Sequence, residues 1–218
     1  NISHEIRSPF HDICRSVEMP TDADPARSLS QQERREYSMI IKTNSDLLMN
    51  LVNDILDFSD LNSGRAKVTI MEVNVNDLLR LALHTVELRV RKDVQLICDS
   101  KVDNHFTINT DPKRVQQVLV NFLTNAIKHT EEGSMTLGFT GPDADGWCEF
   151  SVTDTGEGIP EDKASEIFER FLKLNSFKQG TGLGLAICKS VANVLGGEVA
   201  LDTSYHQGAR FVFRLKCK

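Results

Sequence analysis

Residues 111–130 read DPKRVQQVLVNFLTNAIKHT, and this stretch decides the reading of everything around it. Asp111 before Pro112 is a helix start: a side chain that accepts backbone N–H bonds, then a ring that pre-sets φ where no donor is needed. Val115, Val118, Leu119, Phe122, Leu123, Ala126 and Ile127 follow at helical spacing and form one apolar face. Arg114, Gln117, Asn121, Asn125 and Lys128 share a second stripe. A solvated face would normally carry Glu, Lys and Arg. Asparagine is a mediocre helix former, so two of them a turn apart, then a lysine, call for a reason. Amide oxygens are hard ligands for Mg2+, which pairs with substrate phosphates, and lysine suits a phosphate oxygen. Taken alone, the stripe is also open to a plain amphipathic reading.

Around this helix lie short β-like runs: Val68–Met71, Val94–Cys98, Thr107–Ile108, Met135–Phe139, Cys148–Val152, Val199–Leu201 and Phe211–Leu215. Further helical patterns cover Val75–Arg91, a short piece at Ser165–Phe171, and Leu183–Leu195. Strands and helices mixed in this order predict a sheet covered on one face by helices. Two glycine-rich stretches stand out. Asp154-Thr155-Gly156-Glu157-Gly158-Ile159-Pro160 leaves an apolar strand, and its glycines permit close backbone approach. An aspartate there reads either as an acceptor for an exocyclic amine such as adenine's, or as a surface residue of a tight turn. Gly180-Thr181-Gly182-Leu183-Gly184-Leu185 opens an apolar helix, where free N–H groups and the dipole suit phosphate. No strand precedes it and no Gly-Lys-Ser/Thr follows, which excludes the Rossmann and P-loop readings.

Upstream, Tyr37, Ile41, Asn44, Leu48, Leu51, Ile55 and Phe58 recur at alternating gaps of four and three, the rhythm of a helix packed on other helices. Ser30 with Glu33 makes a capping box, and Gly64 a stop. An earlier helix carries Ile2, Ile6, Pro9, Ile13 and Val17, and a polar segment around Pro20–Pro25 separates the two. Two such helices predict an antiparallel hairpin whose half-exposed stripe is buried by dimerisation into a four-helix bundle. Asn44 in the seam either fixes register or faces solvent. In Ser3-His4-Glu5-Ile6-Arg7-Ser8-Pro9, His4 falls outside the seam, next to an acid and shortly before a helix-interior proline that frees backbone.

Composition sets bounds on these readings. With 40% hydrophobic and 26% charged residues, the chain has ordinary globular composition, and its net charge of −6 argues against nucleic-acid binding. Five scattered cysteines (Cys14, Cys98, Cys148, Cys188, Cys217) without a Cys-x-x-Cys pair predict reduced thiols rather than a disulfide framework or zinc site. No apolar run reaches the roughly 20 residues of a membrane span, so no membrane contact is expected here. The chain begins Asn-Ile-Ser-His without methionine and is read as part of something longer.

Taken together, these stretches resemble the sensor histidine kinases, along essentially the whole chain. SHEIRSP resembles the family's H-box, NFLTNAIKHT its N-box, DTGEGIP its first glycine box, IFERF its phenylalanine box and GTGLGLAI its second glycine box. The resemblance implies an α+β fold: residues 1–64 a dimerisation and phosphotransfer hairpin, residues 65–218 an ATP-binding α/β sandwich of the histidine kinase, gyrase, Hsp90 and MutL type. It implies that His4 accepts the γ-phosphoryl group of ATP and that Glu5 handles the proton on the other ring nitrogen. Asn125 would hold Mg2+, Asn121 and Lys128 the phosphates, with His129 beside the nucleotide. Asp154 would read adenine, supported by Gly156, Gly158 and Ile159. Gly180, Thr181, Gly182, Leu183 and Gly184 would cover the phosphates, with Leu172–Gln179 part of a mobile lid.

The implied partners are a second copy of the chain and a response regulator receiver domain, separate or fused. The implied location is the cytoplasmic portion of a membrane-tethered sensor. Ser8 stands where the family usually has Thr or Asn, a position linked to dephosphorylating the regulator; serine keeps a hydroxyl. Phe10 replaces a common leucine, and the missing helix before His4 is expected to weaken dimerisation. The alternatives are an ATPase of the same superfamily, which leaves SHEIRSP and the heptads unexplained, and a degenerate kinase acting as a scaffold.

Overall fold

The computed structural model describes residues 2–18, 30–172 and 181–217, with the side chains of 2–5 and 17–18 excepted. It divides into two compact units, residues 1–57 and 58–218.

In the first unit, α1 (Ile2–Glu18) runs through Pro9 without interruption, and α2 (Gln31–Asn62) extends past the unit boundary. The capping box forms as expected: Ser30 N–H donates to Glu33 Oε2 at 2.8 Å, and Glu33 N–H donates to Ser30 Oγ at 3.2 Å. The heptad positions are the shielded ones, with Leu51 at 1% exposure and Tyr37, Ile41, Leu48, Ile55 and Phe58 half-buried. Asn44 is also half-buried, and its amide donates to its own helix at Ile40 O, 2.9 Å away. A second set of apolar side chains, Met49, Val52 and Leu56, is 60%, 43% and 59% exposed. Gly64, at φ 71, ends α2, while Arg65 and Ala66 N–H groups satisfy the carbonyl of Asp60.

The last turn of α2 belongs to the second unit. Leu61 is buried, Asn62 Nδ2 donates to Ser190 Oγ at 3.2 Å, and the Arg170 guanidinium lies 4.5 Å above the Phe58 ring.

The second unit is a five-stranded sheet with helices on one face. Its strands are β2 (Val94–Ser100), β4 (Gly133–Thr140), β5 (Trp147–Asp154), β6 (Glu198–Leu201) and β7 (Arg210–Lys216), in the order β2-β4-β5-β7-β6. Only β2 and β4 pair in parallel. A separate two-stranded ribbon joins β1 (Met71–Asn74) to β3 (Thr107–Thr110). Helices α3 (Val75–Val86), α4 (Pro112–His129) and α5 (Gly184–Val194) cover the sheet. The core is a run of touching rings: Phe139 on Phe150 at 4.7 Å, Phe150 on Phe213 at 6.0 Å, and Phe122 of α4 on Phe211 at 5.1 Å.

Four sequence expectations need correction. The first strand lies at Met71–Asn74 rather than Val68–Met71, because Thr69 N–H is taken by Asp111 Oδ2 at 2.8 Å. α3 stops at Val86 and passes into a single 3-10 turn, since Leu88, 99% exposed, has no apolar surface to reach. The helix expected at Ser165–Phe171 is two 3-10 turns, Glu161–Lys163 and Glu166–Phe168, the second of which buries Ile167 and Phe168. Finally, not all cysteines are reduced: Cys148 and Cys217 form a disulfide with Cα atoms 5.8 Å apart. Their 69-residue separation hid a pairing that the β5·β7 ladder makes.

Candidate functional site

β5 positions the central acid. Its burial alternates strictly, with Cys148, Phe150, Val152 and Asp154 all facing inward, so the period that buries the phenylalanine also brings Asp154 to the helix-covered side. Asp154 is 2% exposed. Its Oδ1 accepts N–H bonds from Gly156 at 2.9 Å and Ala209 at 3.2 Å, and its own N–H donates to Ala209 O at 2.8 Å. Among the described residues both side-chain bonds fall on Oδ1, leaving Oδ2 for a ligand. Burial pushes this carboxyl above its ordinary range, against the two backbone donors and nearby His129.

The turn after Asp154 is fixed on three sides. Thr155 exchanges bonds with β4 through Ser134: its N–H donates to Ser134 O at 3.1 Å, and its Oγ1 accepts from Ser134 N at 3.0 Å. Gly156 lies so close to the end of α4 that an added Cβ would sit 2.2 Å from His129 O. Glu157 returns a carboxylate to His129 Nδ1. Gly158, at φ 72, faces Gly208, where a Cβ would meet Asp154 O at 2.0 Å. These glycines are required by backbone approach rather than by flexibility.

α4 supplies the polar stripe, held at its start by Asp111, whose Oδ1 accepts from Lys113 and Arg114 N–H at 2.9 and 3.2 Å. Asn121, Asn125 and His129 follow at intervals of four, on one face. Asn121 Nδ2 donates to Gly184 O at 3.3 Å, so this end of the stripe meets the start of α5. His129 at the other end meets Gly156 and Glu157. Half-buried Asn125 stands between the two glycine loops, and among the described residues its amide makes no hydrogen bond. Lys128 is also half-buried.

In the second glycine stretch, Gly182 (φ 67) has its carbonyl bonded by Phe171 N–H at 2.8 Å, and Phe171 is itself left-handed at φ 59. The Thr181 hydroxyl accepts from Leu183 N–H at 3.2 Å, and the Leu183 side chain is buried at 1%, so it serves the core. Among the described residues α5 starts without a side-chain cap, the type of helix start that suits an anion.

Of the sequence-predicted residues, contacts join Asn121 to Gly184, His129 to Gly156 and Gly156 to Asp154; Gly158 reaches Asp154 through Gly208, Asn125 and Lys128 lie half-buried on α4, and Thr181, Gly182 and Leu183 lead into α5. Ile159 lines a small cavity with Tyr205, Gly208 and Ala209. Gly180 and lid positions 173–179 lie outside the described residues, as do the side chains of His4 and Glu5, whose backbone is in α1. Ser8 is exposed on α1. Sequence reasoning missed Gly208 and Ala209, which cradle Asp154 from the entry to β7; a glycine two residues before an apolar strand was the available signal.

A buried carboxylate framed by glycines and an asparagine stripe ending on a second glycine loop define a nucleotide-binding α/β domain, here preceded by a helical hairpin. Residues 110–218 match the histidine kinase-, DNA gyrase B- and HSP90-like ATPase family, and residues 1–64 match the His Kinase A phospho-acceptor domain. The chain belongs to the histidine kinase family and has the architecture of its catalytic core.

Among curated relatives, it is 32% identical to the circadian input-output histidine kinase CikA of Synechococcus elongatus, over 96% of this chain and 28% of that protein. It is 31% identical to the sensor histidine kinase RcsC of Escherichia coli, over 98% of this chain and 22% of that one. The chain thus spans about a quarter of the length of these relatives. Full-length ShkA in complex with AMPPNP superposes with a TM-score of 0.75 at 29% identity, covering 99% of this chain and 45% of that one. The isolated catalytic domain of histidine kinase ThkA superposes with a TM-score of 0.61 at 29% identity, covering 68% of this chain and 96% of that one.

Proposed function

We propose that this chain is an ATP-dependent protein histidine kinase core that phosphorylates His4 and passes the phosphoryl group to an aspartate of a response regulator. The observation that carries this reading is the α4 stripe, in which Asn121 and His129 touch the two glycine loops and the Asn125 amide between them makes no hydrogen bond among the described residues. The donor set fits a hard cation shared with phosphates: among the described residues no cluster of carboxylates, histidines or cysteines offers a rival metal site, and the Asn125 amide lies on the α4 stripe whose two ends meet the glycine loops. Asn125 would hold Mg2+, which, when bound, offsets the charge of the triphosphate.

Asp154 accepts the exocyclic amine of adenine at Oδ2 while Oδ1 stays occupied by the backbone. Lys128 and the uncapped start of α5 hold phosphate oxygens. His4 presents an imidazole nitrogen to the γ-phosphorus; a nitrogen–phosphorus bond forms, the bond to the bridging oxygen breaks, and ADP leaves. Glu5 takes or orients the proton on the other ring nitrogen. Such transfer depends on positioning and charge neutralisation, which suits a donor and an acceptor on separate units.

We further propose that the chain is a homodimer through the hairpin, because Met49, Val52 and Leu56 form an exposed apolar stripe on α2. Among the described residues no helix is long and apolar enough to cross a membrane. A cytoplasmic place in a membrane-tethered sensor belongs to the same proposal, supported by the sensor name of RcsC. The test is incubation with γ-labelled ATP and Mg2+. Acid-labile, alkali-stable label that disappears in His4→Gln is the expected result, and stable label in that variant rejects the site. Steady phosphate release without labelled protein would favour the ATPase reading.

A further inference from the structure

We propose that Cys148 and Cys217 form a reversible oxidation site for hydroperoxides, the dithiol and disulfide being two states of the ATP-binding domain. The fold prepares the pair. β5 and β7 run antiparallel with Cys148 opposite Leu215, and Cys217 lies two residues beyond Leu215 on the same inward face. The Cys217 N–H donates to Gly146 O at 2.9 Å, extending the ladder past the last strand residue and holding the diagonal neighbour in place. The resulting Cα–Cα distance of 5.8 Å is one a disulfide spans without backbone movement.

The two sulfurs differ in access. Cys148 is 0% exposed, whereas Cys217 is half-buried and is the one a small oxidant reaches. The remaining cysteines, Cys14, Cys98 and Cys188, are not in disulfides. Cys98 is exposed, but burial of its sulfur and the charge of Asp99 push its thiol up, which lowers its thiolate fraction.

The chemistry balances in two steps. The Cys217 thiolate attacks a peroxide oxygen, the O–O bond breaks, and water or an alcohol leaves, giving a sulfenic acid. The Cys148 sulfur then attacks the Cys217 sulfur; an S–S bond forms, the S–O bond breaks, and hydroxide departs as water with the Cys148 proton. The two thiols supply the two electrons that reduce the peroxide, and thiol–disulfide exchange with a dithiol returns the pair to its starting state. Cys148 precedes Asp154 by six strand residues, about 20 Å along β5, so the bond acts on the stability of the sheet rather than on nucleotide contacts.

The experiment compares fully reduced protein with protein treated with hydrogen peroxide. Intact mass, peptide mapping, thermal denaturation and Mg·ATP affinity are measured for wild type and Cys217→Ser. The expected result is loss of two hydrogens, a Cys148–Cys217 linked peptide that a dithiol reverses, and unchanged nucleotide affinity. Because the linkage closes a 69-residue loop in the unfolded chain, Tm rises on the order of 10 °C. Cys217→Ser, at a half-exposed position, folds and shows no peroxide-dependent shift. Sulfinic acid at Cys217 without the linked peptide, linkage through Cys98 instead, or equal Tm in the two states overturns the proposal.

Discussion

Replacing Asp154 with asparagine isolates one atom of the site. The amide oxygen can still take the Gly156 and Ala209 N–H bonds now held by Oδ1, so the turn keeps its frame. What changes is the other atom, from an ionised acceptor to an NH2 donor aimed at a ligand amine. The loss is one charge-assisted hydrogen bond in a 2%-exposed position, compounded by two donors left facing each other. That combination costs about 2–4 kcal/mol, or on the order of 30- to 1000-fold in Kd for Mg·ATP.

Stability moves the opposite way. Burial raises the folded carboxyl above its unfolded value, so ionising it costs folding energy at every pH above that raised value, and the cost vanishes as pH falls below the unfolded value. At neutral pH the asparagine variant is therefore at least as stable as wild type. For the same reason wild-type affinity begins to fall, on acidification, at a higher pH than an ordinary carboxylate would give. Titration calorimetry with Mg·ATP, paired with thermal denaturation, separates the two effects. A variant that binds within threefold of wild type refutes the assignment of Asp154 as the base reader. A variant that loses binding together with its Tm refutes the claim that the turn survives without the charge.

Asp111→Ala removes acceptors for Lys113, Arg114 and Thr69 N–H groups from a residue 5% exposed, and should cost roughly 1–3 kcal/mol in urea denaturation. Leu56→Asp places a charge in the exposed α2 stripe; self-association measured by sedimentation should weaken at least tenfold while helical circular dichroism is retained. A fragment of residues 58–218, which contains every interaction described around Asp154 and Asn125, should bind Mg·ATP within about threefold of the full chain, judged by the same calorimetry, yet acquire no histidine label.

Legibility followed the range of the interactions. The α4 boundaries, the Ser30–Glu33 box and the Gly64 stop are settled by groups three or four residues apart, and all were readable from pattern. The heptad seam likewise matches the shielded positions of α2, since its period is a property of one helix. The errors fall where a distant segment intervenes or fails to pack. β1 begins late because Asp111, 42 residues away, takes the Thr69 N–H. α3 ends early because nothing packs on Leu88.

The site shows the same division in sharper form. Asn121, Asn125 and His129 are legible because one helix puts them in line, and Asp154 because a strand's alternation carries it inward. Their convergence depends on contacts between segments that no local pattern encodes: Asn121 with Gly184, His129 with Glu157, Asp154 with Ala209. Asn121 with Gly184 and Asp154 with Ala209 run through backbone at a residue whose side chain is missing or small, while His129 meets Glu157 side chain to side chain. Gly156 against His129 O and Gly208 against Asp154 O admit no Cβ at all. A glycine's purpose is therefore readable only when its neighbour in space is known. Gly156, inside a motif, was singled out, whereas Gly208, equally indispensable to the carboxylate's frame, was passed over because its partner lies 54 residues earlier in the chain.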